Sequence, residues 1–453
     1  MSDALSIFAA AQEAAGATAL RIGEQRYTFG ELADRVRTRL RSPDLRSPDL
    51  GSGAGAGTPY PLVATGTLET LVTLYALLEL RTPALLLHPR QTDAERGAVL
   101  EAAARAGPVA HPDAAAVIYT SGTTGQSRGA VLTRGALLAS AHASAANMGW
   151  HADDCWLLAM PLARVGGLSI VTRCLAARRS VALAPAFDAR RLPQWIDQQR
   201  VTLVSLVPTM LVQCLDANPD WRAPPHLRAI QLGGAAAPAR LLQRAADRRL
   251  PVVVTYGCTE TSSQVVATPY AMRYAPAAHG AGRPLAGAQV RVADGHIQVR
   301  GPMRMAGYLG EAALDAQAWF DTGDLGEIDG HGCLHVHARR ADLIVTGGEN
   351  VYPAEVERVL EGCAGVVAAA VFGVPDDTWG QTVAAALVVD PVPPTDQAIL
   401  EHFGAHLAPY KRPRRVCFVP SLPQTHAGKL DRQALASMAG PLRPLRTAGG
   451  DFA

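Results

Sequence analysis

The 453-residue chain lacks any uncharged apolar run long enough to cross a bilayer. Its best stretch, residues 70–78, is nine residues between Glu69 and Glu79, where a spanning helix needs about 20. Charge of one dominant sign is also missing: 42 Lys and Arg against 40 Asp and Glu leave +2, which gives bulk electrostatics no hold on a nucleic acid. Cysteine is sparse. The seven (155, 174, 214, 258, 333, 363, 417) are scattered, odd in number and without a CxxC pair, so reduced thiols in a cytosol are expected. The start, "MSDALSIFAAAQEAAGATAL", reads as a helix capped by Ser or Asp rather than a cleavable leader. With 48% hydrophobic and 18% charged residues, a large core in two or three domains is expected.

Apolar β-branched runs alternate with alanine- and leucine-rich stretches. Examples are "VTLVSLVP" (201–208), "LRAIQLGG" (227–234) and "PVVVTYG" (251–257). That alternation predicts parallel sheets flanked by helices, an α/β fold. From about residue 285 the pattern changes to period-two alternation around Asp294-Gly295, a hairpin signal, with a second hairpin at "LGEIDGHGCLHVHA". A shorter α+β block follows from Ala341. The tandem "RSPDLRSPDL" and "GSGAGAG" predict a flexible surface insertion over 41–57.

The segment "YTSGTTGQSRGAVLT" (119–133) packs small and hydroxyl residues around one arginine, between an apolar strand and a helix expected from Arg134. Such a turn suits a phosphate. It is not a Walker A loop: two residues separate Gly122 from Gly125, three separate Gly125 from Gly129, and Arg128 is the cation. "TYGCTETSSQ" (255–264) offers the Tyr256 ring, the Thr259 hydroxyl and the Glu260 carboxylate. A carboxylate near phosphates makes sense with Mg²⁺ between them. "WFDTGDLGEID" (319–329) sets Asp321 and Asp324 around a glycine turn, suited to ribose hydroxyls, and "LPQTHAGKLDR" (422–432) presents Lys429 in a polar loop. A lone lysine there can deliver positive charge to a reacting phosphate.

These segments, together with "ARRADLIVTGGENVYPAEVE", resemble in their order the adenylate-forming superfamily of acyl-CoA synthetases, adenylation domains and firefly luciferase. The resemblance implies a large N-terminal domain (1–340) of parallel helix-flanked sheets with a β-barrel-like subdomain, and a small mobile α+β C-terminal domain (341–453). It implies ATP, Mg²⁺ and coenzyme A, and an acyl-adenylate formed first and a thioester second. Thr120, Ser121, Gly122, Thr123, Thr124, Gly125, Arg128 and Thr259 would hold phosphates, and Glu260 the metal. Gly233, Gly234, Tyr256, Gly257, Asp324 and Arg339 would hold adenine and ribose. Lys429 would be catalytic, Ala341 the hinge, and Gly347, Gly348 and Trp379 would contact CoA.

Within the superfamily the chain most resembles the o-succinylbenzoate–CoA ligase branch of menaquinone biosynthesis, carried by "LGGAAAPARLL", "YGCTETSSQV" and "RRADLIVTGGENVYP". Arg164 stands where relatives commonly have His, and it could clamp the second carboxylate of a dicarboxylic acid. Thr209, Ser262 and Ser263 are further acyl-pocket candidates. Arg128 replaces the usual Lys, Ala341 the usual hinge Asp, and Ala338 a usual Gly. The cluster Lys411, Arg412, Arg414 and Arg415 either faces CoA phosphates or is a solvated patch. His331, Cys333, His335 and His337 alternate on one expected strand, a spacing that cannot close a tetrahedron without bending, so zinc is not expected. The implied partners are a small carboxylic acid and CoA, without nucleic acid or membrane insertion, and a homo-oligomer is compatible with the pattern. Three other readings stand beside this one: another aryl- or acyl-CoA synthetase, a stand-alone adenylation enzyme that loads a carrier protein, and a non-catalytic nucleotide-binding protein.

Overall fold

A computed structural model describes residues 3–46, 57–120, 128–184, 186–339, 342–346, 349–376, 380–407, 409–424, 430–432, 434–435, 442–447 and 450–451. Its largest sheet has nine strands. The parallel strands Val252–Cys258, Ala229–Leu232, Leu203–Leu206, Cys155–Leu158 and Ser180–Leu183 lie side by side in that order. The last four are buried at every residue. Continuous apolar strands of this kind are what a sheet covered on both faces requires. A five-stranded sheet is built on Tyr60–Val63, Ala84–Leu87, Ala114–Thr120, Arg128–Thr133 and Gly307–Tyr308. The helix Leu68–Leu80, capped by Thr67, carries the uncharged run 70–78, every residue of which is buried in the protein core. Among the described residues no helix is long and apolar enough to cross a membrane.

Both hairpins form. Gln289–Ala293 and His296–Arg300 pair through Asp294 and Gly295, both at positive φ, as a two-residue hairpin turn demands. Phe320–Ile328 pairs with Leu334–Arg339. The four strands make one antiparallel sheet, the half-barrel expected above. C-terminal to it, Val366–Asp376 and Gly380–Val389 pair antiparallel, and Arg415–Phe418 joins parallel. The helices Pro353–Glu361 and Asp396–His406 pack on this sheet through Val356, Leu360, Ile399 and Phe403.

Within the 41–57 insertion, Pro43–Arg46 forms a helical turn, and Asp44 accepts from both Arg39 Nη1 (2.8 Å) and Nη2 (2.7 Å) and from the Tyr60 hydroxyl. Residues 47–56 lie outside the described residues. The helix begins at Arg134 as expected and runs to Met148. One expectation needs correction: the glycine-rich turn does not join a strand directly to that helix, because Arg128–Thr133 is itself a strand, antiparallel to Ala114–Thr120 with Thr120 opposite Arg128. The short strand "RGAVLT" is hidden in sequence because the long alanine-rich helix beside it dominates the local pattern.

Candidate active site

Four adjacent parallel strands end at one edge of the large sheet, and each is followed by candidate residues. Arg164 follows Cys155–Leu158, Thr209 follows Leu203–Leu206, Gly233 and Gly234 follow Ala229–Leu232, and Thr259 and Glu260 follow Val252–Cys258. Ligands of open α/β sheets bind outside the carboxyl ends of the strands. Gly233 is required by close approach, since a Cβ there would lie 2.3 Å from Thr255 Oγ1. At Gly257 a Cβ would meet the Ser263 carbonyl oxygen at 2.0 Å, so the bulged crossing with Ser263–Ala267 admits only glycine.

Tyr256 ties this edge to the half-barrel. Its hydroxyl donates to Asp324 Oδ2 at 2.8 Å and lies 3.0 Å from Thr322 Oγ1. Burial, then the Asp324 charge, pushes the phenol well above its ordinary pKa, so it stays a donor. Asp324 is 7% exposed and faces Arg339 in the strand register. Asp321 goes elsewhere: it accepts from Gly323 N and lies 3.2 Å from His296 Nδ1. The glycine turn therefore separates the two carboxylates, one inward and one outward.

Glu260 sits in the turn Thr259–Thr261. Its Oε1 accepts from the Tyr308 hydroxyl (3.1 Å) and from Thr120 Oγ1 (3.5 Å). The guanidinium carbon of Arg128 lies over the Tyr308 ring, 3.7 Å from its centroid, and its Nη1 is 3.6 Å from Glu311 Oε1. Among the described residues no cluster of three His, Cys, Asp or Glu could hold a metal. One carboxylate and one hydroxyl nevertheless fit Mg²⁺, which takes one or two protein oxygens and completes its shell with phosphate and water.

Arg164 holds the N-cap position of the helix Val165–Ala177 in extended conformation, without a side-chain cap bond. Burial lowers its guanidinium pKa, and no ion pair with a described residue offsets this. Thr209 is the second residue of the helix Pro208–Ala217. Ser262 is fully buried with an unpartnered Oγ, and Ser262 and Ser263 both have positive φ. Arg173, one helix length beyond Arg164, escaped the reading of the sequence. It is 1% exposed, and its bonds run to neutral atoms: Gln231 Oε1 (3.2 Å) and Ser140 Oγ (3.4 Å). Burial pushes its pKa down to about 10. Nearby buried polar atoms lack partners: Arg173 Nε, Ser144 Oγ and Gln264 Nε2, the last on the residue that accepts from Gln231 Nε2 at 2.7 Å. The available signal was an arginine inside the apolar helix "VGGLSIVTRCLAA".

Lys411 of the basic cluster is held by Glu355 (2.7 and 2.8 Å), and Arg412 Nε donates to Leu407 O. His335 lies 3.0 Å from Asp329, and Cys333 is buried. Lys429 and the loop from Ser121 to Gly125 lie outside the described residues, as do Ala341, Gly347, Gly348 and Trp379.

The AMP-binding enzyme family model matches residues 102–309, and the AMP-binding enzyme C-terminal domain model matches residues 355–429. The 2-succinylbenzoate–CoA ligase of Bacillus mycoides is 39% identical over 340 residues, 72% of this chain and 70% of that one. The chain belongs to the AMP-binding enzyme family. This AMP-binding enzyme is an adenylate-forming CoA ligase. The 2-succinylbenzoate–CoA ligase of Bacillus thuringiensis is 40% identical over the same shares. The o-succinylbenzoate CoA synthetase of Bacillus subtilis, solved with its acyl-adenylate intermediate, matches with a TM-score of 0.82, 29% identity and 99% of both chains. The same synthetase solved with ATP and magnesium ion matches with a TM-score of 0.81 and 30% identity, over 95% of this chain and 98% of that one.

Proposed function

We propose that this AMP-binding enzyme activates an aromatic dicarboxylic acid, o-succinylbenzoate, as its CoA thioester in menaquinone biosynthesis. One carboxylate of the acid attacks the α-phosphorus of ATP, pyrophosphate leaves, and an acyl-adenylate forms. The CoA thiol then attacks the acyl carbonyl, and AMP leaves. A product analogue bearing CoA bound to the Bacillus subtilis synthetase supports free CoA as acceptor. In this reading residues 1–340 bind ATP and acid, and 341–453 turn about Ala341 between the two half-reactions. Thr120, the loop 121–125, Arg128 and Thr259 hold the phosphates. Tyr256, with Gly233, Gly234 and Gly257, lines the adenine pocket, and Asp324 and Arg339 hold ribose. Glu260 and Thr120 would hold Mg²⁺, which when bound screens phosphate charge. Lys429 approaches from the small lobe to neutralise the crowded oxygens, and Gly347, Gly348 and Trp379 border the thiol.

The observation that carries the choice of acid is buried arginine that meets no carboxylate among the described residues. In this reading Arg164 and Arg173 lie on the acyl side, with Thr209, Ser262 and Ser263 as further acyl-pocket residues. A buried arginine without a carboxylate is unfavourable on its own and is relieved by a substrate carboxylate. Pyrophosphate exchange with o-succinylbenzoate and with 4-oxo-4-phenylbutanoate, which lacks the ring carboxylate, tests this. Arg173→Met is expected to raise KM for the diacid about 50-fold while leaving the monoacid within about threefold. An equal effect on both acids removes the assignment. Lys429→Ala is expected to slow adenylation by about 10²–10³, equivalent to roughly 3–4 kcal/mol. Undiminished exchange in that variant would end the reading for Lys429.

A further inference from the structure

Tyr308 touches both charged groups at the phosphate end of the site, and none of the roles above uses it. Its ring carries the Arg128 guanidinium at 3.7 Å, and its hydroxyl donates to Glu260 Oε1 at 3.1 Å. The backbone fixes it from both sides. Gly307–Tyr308 pairs antiparallel with Val131 and Ala130, Ala306 N donates to Val131 O (2.9 Å), and Leu309 N donates to Gly129 O (2.8 Å). Gly307 has a φ of +151°, and a Cβ there would lie 3.0 Å from Ala312 O. The short strand thus delivers one aromatic side chain to the foot of the loop 121–127.

The competing contact to Arg128 is weak. Glu311 is 3.6 Å away, and both side chains are about half exposed, so the pair contributes little. A guanidinium held over a ring keeps a planar fork of N–H donors for a phosphate, a geometry that a lysine ammonium lacks. At Glu260 the phenol hydroxyl donates to Oε1 at 3.1 Å. A donated hydrogen bond fixes the orientation of the carboxylate.

We propose that Tyr308 is a positioning residue that orients Glu260 and Arg128 together for the metal and phosphate end of the reaction. This rests on Glu260 being the metal carboxylate. The test uses the full chain, Mn²⁺ binding followed by electron paramagnetic resonance with a non-hydrolysable ATP analogue, and metal-free analogue binding by calorimetry. Tyr308→Phe keeps the ring and removes the hydroxyl. Its Mn²⁺ dissociation constant is expected to rise about fivefold, with metal-free affinity and urea midpoint unchanged. Tyr308→Leu also removes the platform. Arg128→Lys is expected to weaken pyrophosphate binding about threefold in the native chain and not at all in Tyr308→Leu. Glu260→Gln separates the two levels. If it weakens Mn²⁺ binding and Tyr308→Phe does not, the role of Tyr308 is overturned alone; if Glu260→Gln changes nothing, both assignments fall.

Discussion

Arg228, just before a strand of the nine-stranded sheet, and Arg173, on the helix Val165–Ala177, are both buried, and their surroundings are opposite. Arg228 immediately precedes the strand Ala229–Leu232, at the amino edge. Its Nε donates to Asp154 Oδ1 (2.7 Å), its Nη2 to Asp154 Oδ2 (2.5 Å), and its remaining donors reach the carbonyls of Met148 and Gly149. Burial alone would raise the Asp154 carboxyl. Hydrogen bonds from Arg228, His151 N and Thr202 outweigh it and hold the pKa below the ordinary carboxylate range. Arg173 meets Gln231, two residues before the glycine turn at the carboxyl edge, and finds no described carboxylate. One edge of the sheet is electrostatically complete and serves stability. The other keeps a cation in reserve, as an edge that binds an anionic substrate would.

Breaking the complete edge should have the largest effect. Arg228→Met leaves Asp154 charged and buried, and is expected to lower unfolding free energy by about 3–5 kcal/mol in urea titration, with KM for the acid unchanged in the folded fraction. Arg173→Met should invert that pattern: the urea midpoint holds or rises, and the loss appears as the diacid-selective KM described above. A stability loss matching that of Arg228→Met would erase the contrast.

Glu361 sharpens the comparison from the carboxylate side, in the small lobe. Burial, then the Glu357 charge, pushes its pKa up to about 7 from an ordinary 4.5, against the pull of Arg240 and Arg358. Here burial wins, where Arg228 overcame it at Asp154. The folded state holds a proton that the unfolded chain releases between 4.5 and about 7. The contribution to stability is therefore full below 4.5 and is lost as pH rises through 7. Glu361→Gln should remove about 3 kcal/mol of that pH dependence, read as the difference between the two proteins' denaturation curves across the window. The effect matters for lobe placement because Arg240 also crosses to Val366 O at 3.0 Å. The smallest change is Thr202→Val, which removes the 2.7 Å donor to Asp154. It should cost about 1–2 kcal/mol in the same titration.

Much of this architecture is legible in the order of the residues. The Asp294-Gly295 hairpin stands out because two positive φ values in a row leave few residue choices. The buried strands show as continuous apolar runs, and the Tyr256–Glu260 segment shows by its chemistry. The strand after the glycine-rich loop does not, because it has only six residues and one of its two partners, Gly307–Tyr308, lies far along the chain. Tyr308 is hidden for the same reason. Nothing beside it in the chain points to Glu260, 48 positions earlier. Arg164 stands out as an unusual residue in its motif, whereas Arg173 looks like one polar position in an apolar helix.

By itself the sequence determined which functional groups the chain carries, the order of its loops and the alternation that makes an α/β sheet, because periodicity and turn chemistry act between near neighbours. Tertiary structure decided which charges are matched. Asp154 and Arg228 are 74 positions apart, and whether an arginine finds a carboxylate or only amides and hydroxyls depends on which strands and helices pack together. Burial then sets the electrostatic consequence, since the same charge that costs little in water is strongly disfavoured inside unless something pairs with it.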